Sequence, residues 1–199
     1  MSALHVHPLT ADRWADLEKL FGSRGAVGGC WCMWWRIPRA EYEREKGDGN
    51  RSSLAALVES GAVPGVLGYD GDAPVAWCAV EPRESYPVLD RSRVLKRVDD
   101  APVWSVTCFF IAKAHRERGL GAAMLRAAVA HAAASGAAVV EGYPVDPVKD
   151  RMPTVFAHTG FVEMFRAAGF EEVERRSPTR PIMRYAIEAA PPGRNAASE

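Results

Sequence analysis

The chain has no apolar run long enough to cross a bilayer, since stretches such as residues 127–130 and 132–134 fall far short of the roughly 20 residues a membrane helix needs. It has no excess of charge. Twenty-five lysines and arginines balance 25 aspartates and glutamates, so no global field draws in nucleic acid or an acidic bilayer, and electrostatic recognition must be local. Cysteine is sparse. Cys30, Cys32, Cys78 and Cys108 have neither the density nor the spacing of a disulfide scaffold, and they are expected as reduced thiols. A C-x-C pair offers two of the four ligands that structural zinc requires, so no metal is expected. The opening MSALHVHPLTADRW lacks a basic region followed by an apolar one, and a cytoplasmic address is the expectation.

What is present is an ordinary globular composition. With 48% hydrophobic and 25% charged residues over 199 positions, the chain can bury about 70% of its unfolded surface and needs no staple. One domain over residues 1–187 is expected, its first 60 residues forming a distinct N-terminal part, with EAAPPGRNAASE (188–199) as a disordered tail.

Hydrophobic periodicity predicts the elements in order. A short strand at 4–8 precedes a helix capped by Thr10 or Asp12, and a second helix spans 51–60 with Leu54, Leu57 and Val58 on one face. Residues 66–69 and 74–80 form a hairpin across Asp70-Gly71-Asp72, because Asp-Gly supplies the positive φ of a tight turn. Residues 83–100 read as a charged excursion. The strongest strand, 103–111, is followed by a glycine turn, a helix over 120–135, a buried strand at 137–143, a helix over 154–168 and two closing strands at 170–175 and 182–187. The arginines Arg175, Arg176, Arg180 and Arg184, interleaved with glutamates, read as a solvated hairpin.

The turn between the strong strand and the long helix reads Arg116-Glu117-Arg118-Gly119-Leu120-Gly121-Ala122. Its glycines allow a ligand close to the main chain, and a helix start offers unpaired N–H groups with partial positive charge. A phosphate suits such a place. Between Lys113 and Arg126, four cations (Lys113, Arg116, Arg118, Arg126) face one acid, Glu117, in a chain that is otherwise neutral.

CFFIAKAHRERGLGAAML resembles the acyl-CoA signature of the GNAT superfamily of N-acyltransferases, with Arg116-x-x-Gly119-x-Gly121 as its R/Q-x-x-G-x-G/A core. A terminal MFRAAGFEEV segment is similar to that family's fourth helix and next strand, so the resemblance covers about residues 65–187. It implies an α/β fold with a mixed, twisted central sheet flanked by helices and with splayed fourth and fifth strands. It also implies acetyl-CoA as co-substrate, with main-chain groups of Phe110 and Ile111 on the pantetheine and the turn from Arg116 through Arg118, Gly119, Leu120 and Gly121 to Ala122 on the pyrophosphate. Direct attack of an amine on the thioester is the implied reaction. The acceptor is expected to be a small-molecule or peptide amine, with no nucleic acid or membrane partner; a homodimer is left open.

That reaction needs a neutral amine, a polarised carbonyl and a proton for the leaving thiolate. Phe165 stands where many relatives carry a tyrosine that gives this proton, and His158 where they often have asparagine. Glu141 and Tyr143 share one face of the strand at 137–143, so Glu141 is preferred as base and Tyr143 as acid, with an ion-paired structural Glu141 as the alternative. Asp146 and Glu81 are next in line as bases. Cys108 could sit beside the thioester, His158 could shuttle a proton, and His131 is expected to be exposed. Cys30-Trp31-Cys32-Met33-Trp34-Trp35-Arg36 reads first as aromatic core, with Trp34 or Trp35 as a candidate acceptor-pocket wall. Two rival readings stand beside the enzyme: an acyl-CoA-binding sensor without turnover, and an acetyltransferase of a protein or peptide amine.

Overall fold

In the computed structural model, which describes residues 4–116, 118–147 and 158–188, the chain begins with β1 (His5–Pro8), α1 (Trp14–Phe21), α2 (Arg39–Arg44) and α3 (Asp48–Glu59). The hairpin of β2 (Gly65–Asp70) and β3 (Ala73–Pro82) follows, then β4 (Trp104–Ile111), α4 (Leu120–Ala134) and β5 (Val139–Gly142). α5 (Val162–Ala167), β6 (Glu171–Arg175) and β7 (Pro181–Ala186) close the order. All seven strands share one sheet, β1-β2-β3-β4-β5-β7-β6, in which only β4 and β5 run parallel.

The period of two along each strand sends alternate residues to opposite faces, and the helices divide accordingly. Val66, Cys78 and Val106 face α4 and pack on Met124, Leu125 and Ala128. Their neighbours Leu67 and Trp77 face the other way, onto Leu17, Phe21, Trp31 and Leu54 of the N-terminal part. Each such side chain removed from water contributes about 1.5–3 kcal/mol, so both layers are held by burial. The expected hairpin is present, with Gly71 at φ 58°.

Two features open the sheet. Register along β3 and β4 shifts between Ala79, opposite Cys108, and Val80, opposite Val106, so Thr107 is an extra residue that bends β4. β4 pairs with β5 only from Trp104 opposite Val140 to Val106 opposite Gly142, and its last five residues leave β5 behind. The fourth and fifth strands are splayed, as the resemblance implies.

Three expectations change. The helix expected over 154–168 falls partly on residues 148–157, outside the described set; what is described is helical only from Val162. Its would-be middle is extended instead, because Val145 N–H donates to Gly160 O (2.8 Å) and Val162 N–H to Val145 O (3.1 Å), a pairing that outweighs local periodicity. α2 was not anticipated, since Tyr42 is its one buried residue and its sequence shows no apolar stripe. Thr10 does not cap the first helix: its hydroxyl bonds to the Asp12 carboxylate, and a short 3₁₀ turn at Ala11–Arg13 precedes α1. The tail at 189–199 lies outside the described residues.

Candidate active site

The gap beyond Val106 is where a ligand could lie along β4. Ala112 N–H donates to Val75 O (2.9 Å), which sets the phase of the antiparallel ladder. By alternation, main-chain groups of Phe110 point to β3, whereas those of Phe109 and Ile111 point into the gap. Phe109 N–H donates to His158 O (2.6 Å), and Arg116 Nε–H donates to Ile111 O (3.0 Å). Of the pair Phe110 and Ile111, then, only Ile111 turns its main chain to the gap. Phe110 contributes its ring, edge-on to Phe21 at 5.5 Å.

At the far end of β4 lies the glycine turn. Gly119 holds φ 72°, a left-handed conformation costly for residues with a Cβ, and a Cβ built there would meet nothing within 4 Å. α4 starts at Leu120 with no side-chain cap and no acid in its first turn, which leaves its N–H groups to an anion. Arg116 and Arg118 are exposed beside it; Leu120 and Ala122 are half-buried. Gly121 differs in its reason for being glycine. It is buried, and a Cβ there would run into the Met164 sulfur, so it serves the contact of α4 with α5 rather than close approach of a ligand.

Glu141 and Tyr143 are brought together, as expected, but not at the gap. Glu141 is fully buried, and its carboxylate accepts from Arg83 Nη1 (2.9 Å), Arg184 Nε (2.8 Å) and the Tyr143 hydroxyl (2.8 Å). Tyr143 accepts from Arg83 Nη1 (2.6 Å) and shares a bond with Ser105 (2.7 Å). Burial, then the Glu141 charge, holds its phenol well above the ordinary range. Arg83 and Arg184 also bind Asp90 (2.9 Å) and Asp99 (2.6 Å), which tie the 83–100 excursion to β5 and β7. A carboxylate held by two guanidiniums and shut from solvent cannot meet an incoming amine, so the geometry favours the structural role for Glu141 over that of a base. Glu81 is ion-paired with Arg36 and buried, and Asp146 pairs with Arg175 at 2.9 Å. His131 is half-buried against Trp104 (5.8 Å), not exposed. The Phe165 ring fills the space over Gly142 and packs on Phe109 (6.1 Å) and Phe170 (5.0 Å).

A cavity of about 700 Å3 opens instead beside the middle of β4. Cys108, Phe109 and Phe110 form one wall, and Cys30, Cys32, Trp34 and Trp35 another. Val94, Leu95, His158 and Arg180 also line it, as do Arg39, Glu43 and Lys46. The candidate wall residues Trp34 and Trp35 are therefore in place, while Trp31 and Met33 turn to the core. Trp31 and Cys32 hold positive φ (43° and 54°), as does Ala26 (66°), a conformation that costs about 1–3 kcal/mol per residue and persists only where surroundings enforce it.

The thiols of this wall are not equivalent. Cys32 is held below the ordinary thiol range by a bond from the Cys108 thiol, opposed by burial and aided by the Trp77 indole N–H (3.1 Å) and the Arg36 charge. Cys108 is pushed well above that range by the same bond and by burial. Arg39 lies over the Trp34 ring at 4.1 Å and pairs with Glu43, which also meets Lys46 at 3.6 Å. Sequence reasoning missed Arg83, Arg180 and the 92–95 wall. What separates Arg180 from Arg175, Arg176 and Arg184 is that these pair with acids whereas its side chain bonds to Thr159, and one-dimensional patterning carries no such signal.

Among the described residues, no three or more His, Cys, Asp or Glu side chains are grouped to hold a metal ion, and no helix is long and apolar enough to cross a membrane. No curated protein is similar in sequence at a significant level. Solved structures share the fold. A GNAT-family acetyltransferase from Listeria monocytogenes 4b F2365 superposes with a TM-score of 0.58 at 10% identity, covering 92% of this chain and 95% of that one. One from Streptococcus agalactiae 2603 gives 0.55 at 13% identity, covering 94% and 96%. The PaiA N-acetyltransferase from Thermoplasma acidophilum, in complex with coenzyme A, gives 0.51 at 10% identity, covering 94% and 100%. The model of the acetyltransferase (GNAT) family matches residues 31–147, more than half of the chain, from the aromatic wall of the cavity through the splayed strands, and the chain belongs to that family.

Proposed function

We propose that the protein moves an acetyl group from acetyl-CoA to a primary amine by direct attack of the amine on the thioester. The observation that carries this reading is the gap between β4 and β5, with an uncapped helix start at one end and an aromatic cavity beside it. The coenzyme A complex of the Thermoplasma relative supports coenzyme A as the carrier. The residues present fit it: Gly119 leaves open space, Arg116 and Arg118 supply charge, and Ile111 turns its main chain inward. Acetyl-CoA supplies an activated thioester; as the C–N bond forms, the C–S bond breaks and a proton passes to sulfur.

The chain has two tasks in this reading: to hold the amine against β4 and to take its proton. With Glu141 and Tyr143 bound into the arginine network and Phe165 lacking a proton, we assign proton uptake to His158, on the cavity wall beside Phe109. Walls contributed by β4, residues 26–35, residues 92–95 and Arg180 favour a small amine over a protein terminus.

A second reading is favoured by the same locked pair: with Glu141 bound by two arginines, the domain could bind acyl-CoA without turnover. Thiol release from acetyl-CoA across an amine panel separates the two. Amine-dependent release matched by acetylated product supports the enzyme, and tight coenzyme A binding with no amine-dependent release supports the binding domain.

A further inference from the structure

Cations in this protein that are sheltered from water have acid partners, with one exception. Among the described residues, every other arginine that is at least partly buried pairs with a carboxylate, including Arg36 with Glu81, Arg83 and Arg184 with Glu141, and Arg175 with Asp146. Arg180 does not. It is half-buried, it lines the cavity, and the one side-chain bond it makes is to the hydroxyl of the fully buried Thr159, at 2.9 Å from Nη1. Burial alone acts on it, lowering its pKa.

Two acids among the described residues are already committed. Asp146, whose N–H donates to Thr179 O next in the chain, gives its carboxylate to Arg175. Glu43, the one acid among the described residues of the cavity wall, is shared between Arg39 and Lys46. Among the described residues the wall thus carries three cations, Arg39, Lys46 and Arg180, against one carboxylate, and Trp34, Trp35 and Phe110 also line it. Such a surface repels a polyamine. A guanidinium has a planar fork that matches a carboxylate in two parallel bonds, and partial desolvation strengthens such bonds.

We propose that Arg180 is the specificity residue of the acceptor cavity and binds the carboxylate of an amine that also carries an apolar or aromatic group. The inference deepens the acetyl-transfer reading and rests on it for the amine, but the carboxylate site itself is testable without turnover. Thr159 holds the guanidinium in place, and the aromatic walls take the apolar part of the ligand.

The test is calorimetric, with 3-phenylpropionate and its primary amide, two ligands of one shape that differ in charge. Wild-type protein should bind the acid at least about tenfold tighter than the amide, the ratio expected for a bond to a charged group, and added salt should erode that ratio. Arg180→Gln should bind both equally, and Arg180→Lys, which keeps the charge but not the fork, should retain part of the preference. Equal binding of acid and amide by wild type, or a preference that survives Arg180→Gln, overturns the proposal. A larger loss of coenzyme A affinity than of acid affinity in Arg180→Gln assigns the arginine to the cofactor and overturns it equally. If the acid binds as expected and no amine accepts an acetyl group, the acetyl-transfer reading fails while the carboxylate site stands.

Discussion

The two polar regions around β4 and β5 are built on opposite principles. At Arg83, Glu141, Tyr143 and Arg184, buried charges meet hydrogen-bond partners of opposite need, so the network is closed and its members have nothing left to offer. Beside the middle of β4, the cavity has strained backbone at Trp31 and Cys32 and an arginine with no acid partner among the described residues. Closure suits a structural role, and unfinished bonding suits a site. A carboxylate's position on a strand is therefore a weaker guide to chemistry than whether its bonds are already made.

The sharpest way to break this contrast is to perturb each region and measure both stability and turnover. Arg83→Met should cost about 3–5 kcal/mol of unfolding free energy, the loss typical of stripping one partner from a buried pair, as read from denaturant midpoints. His158→Gln should instead cost less unfolding free energy than Arg83→Met and lower turnover by about 10² to 10⁴, with part of the rate returning as pH rises and the amine loses its proton unaided. A collapse of stability in the histidine variant, or of turnover alone in the arginine variant, would exchange the roles of the two regions.

Glycine chemistry offers a smaller effect. Gly121→Val should destabilise by about 1–3 kcal/mol through overpacking against Met164, and shortening that side chain in the Gly121→Val, Met164→Ala double variant should recover part of the loss. Additive losses in that cycle would show that the two residues do not touch. Gly119→Val acts differently: its strain is in the backbone, so no partner change rescues it, and coenzyme A affinity falls with it.

The smallest effect is a pH dependence. Burial and the Glu141 charge raise the Tyr143 phenol above its ordinary 10.0, so the folded state resists ionisation. The sign follows: its contribution is intact below about pH 10 and is lost as pH rises from there toward the folded value. Tyr143→Phe should flatten the alkaline limb of stability relative to wild type. An unchanged alkaline limb would mean that the phenol is not the group that titrates.

Much of this was legible in sequence. β4, the turn and α4 carry strong periodicity and a distinctive glycine spacing, so this strand, glycine turn and helix stand where they are expected, and the mixed sheet is the one the family resemblance implies. Glu141 and Tyr143 were correctly placed on one face, because period two fixes that. Whether the shared face met solvent or Arg83, 58 residues away in sequence, depended on tertiary pairing that no local pattern encodes. The thiols and tryptophans of residues 30–35 likewise divide between core and cavity through positive φ angles at non-glycine positions, which sequence gives no reason to expect. The bulge at Thr107 is of the same kind, visible only once β3 is paired.

The most direct test is a crystal structure of the protein with coenzyme A. The pyrophosphate should lie on the turn from Arg116 to Ala122 and the pantetheine between β4 and β5, with the sulfur at the cavity beside Phe109 and His158, while Glu141 keeps both arginines. A sulfur lodged against a Glu141 released from Arg83 and Arg184 would contradict the account.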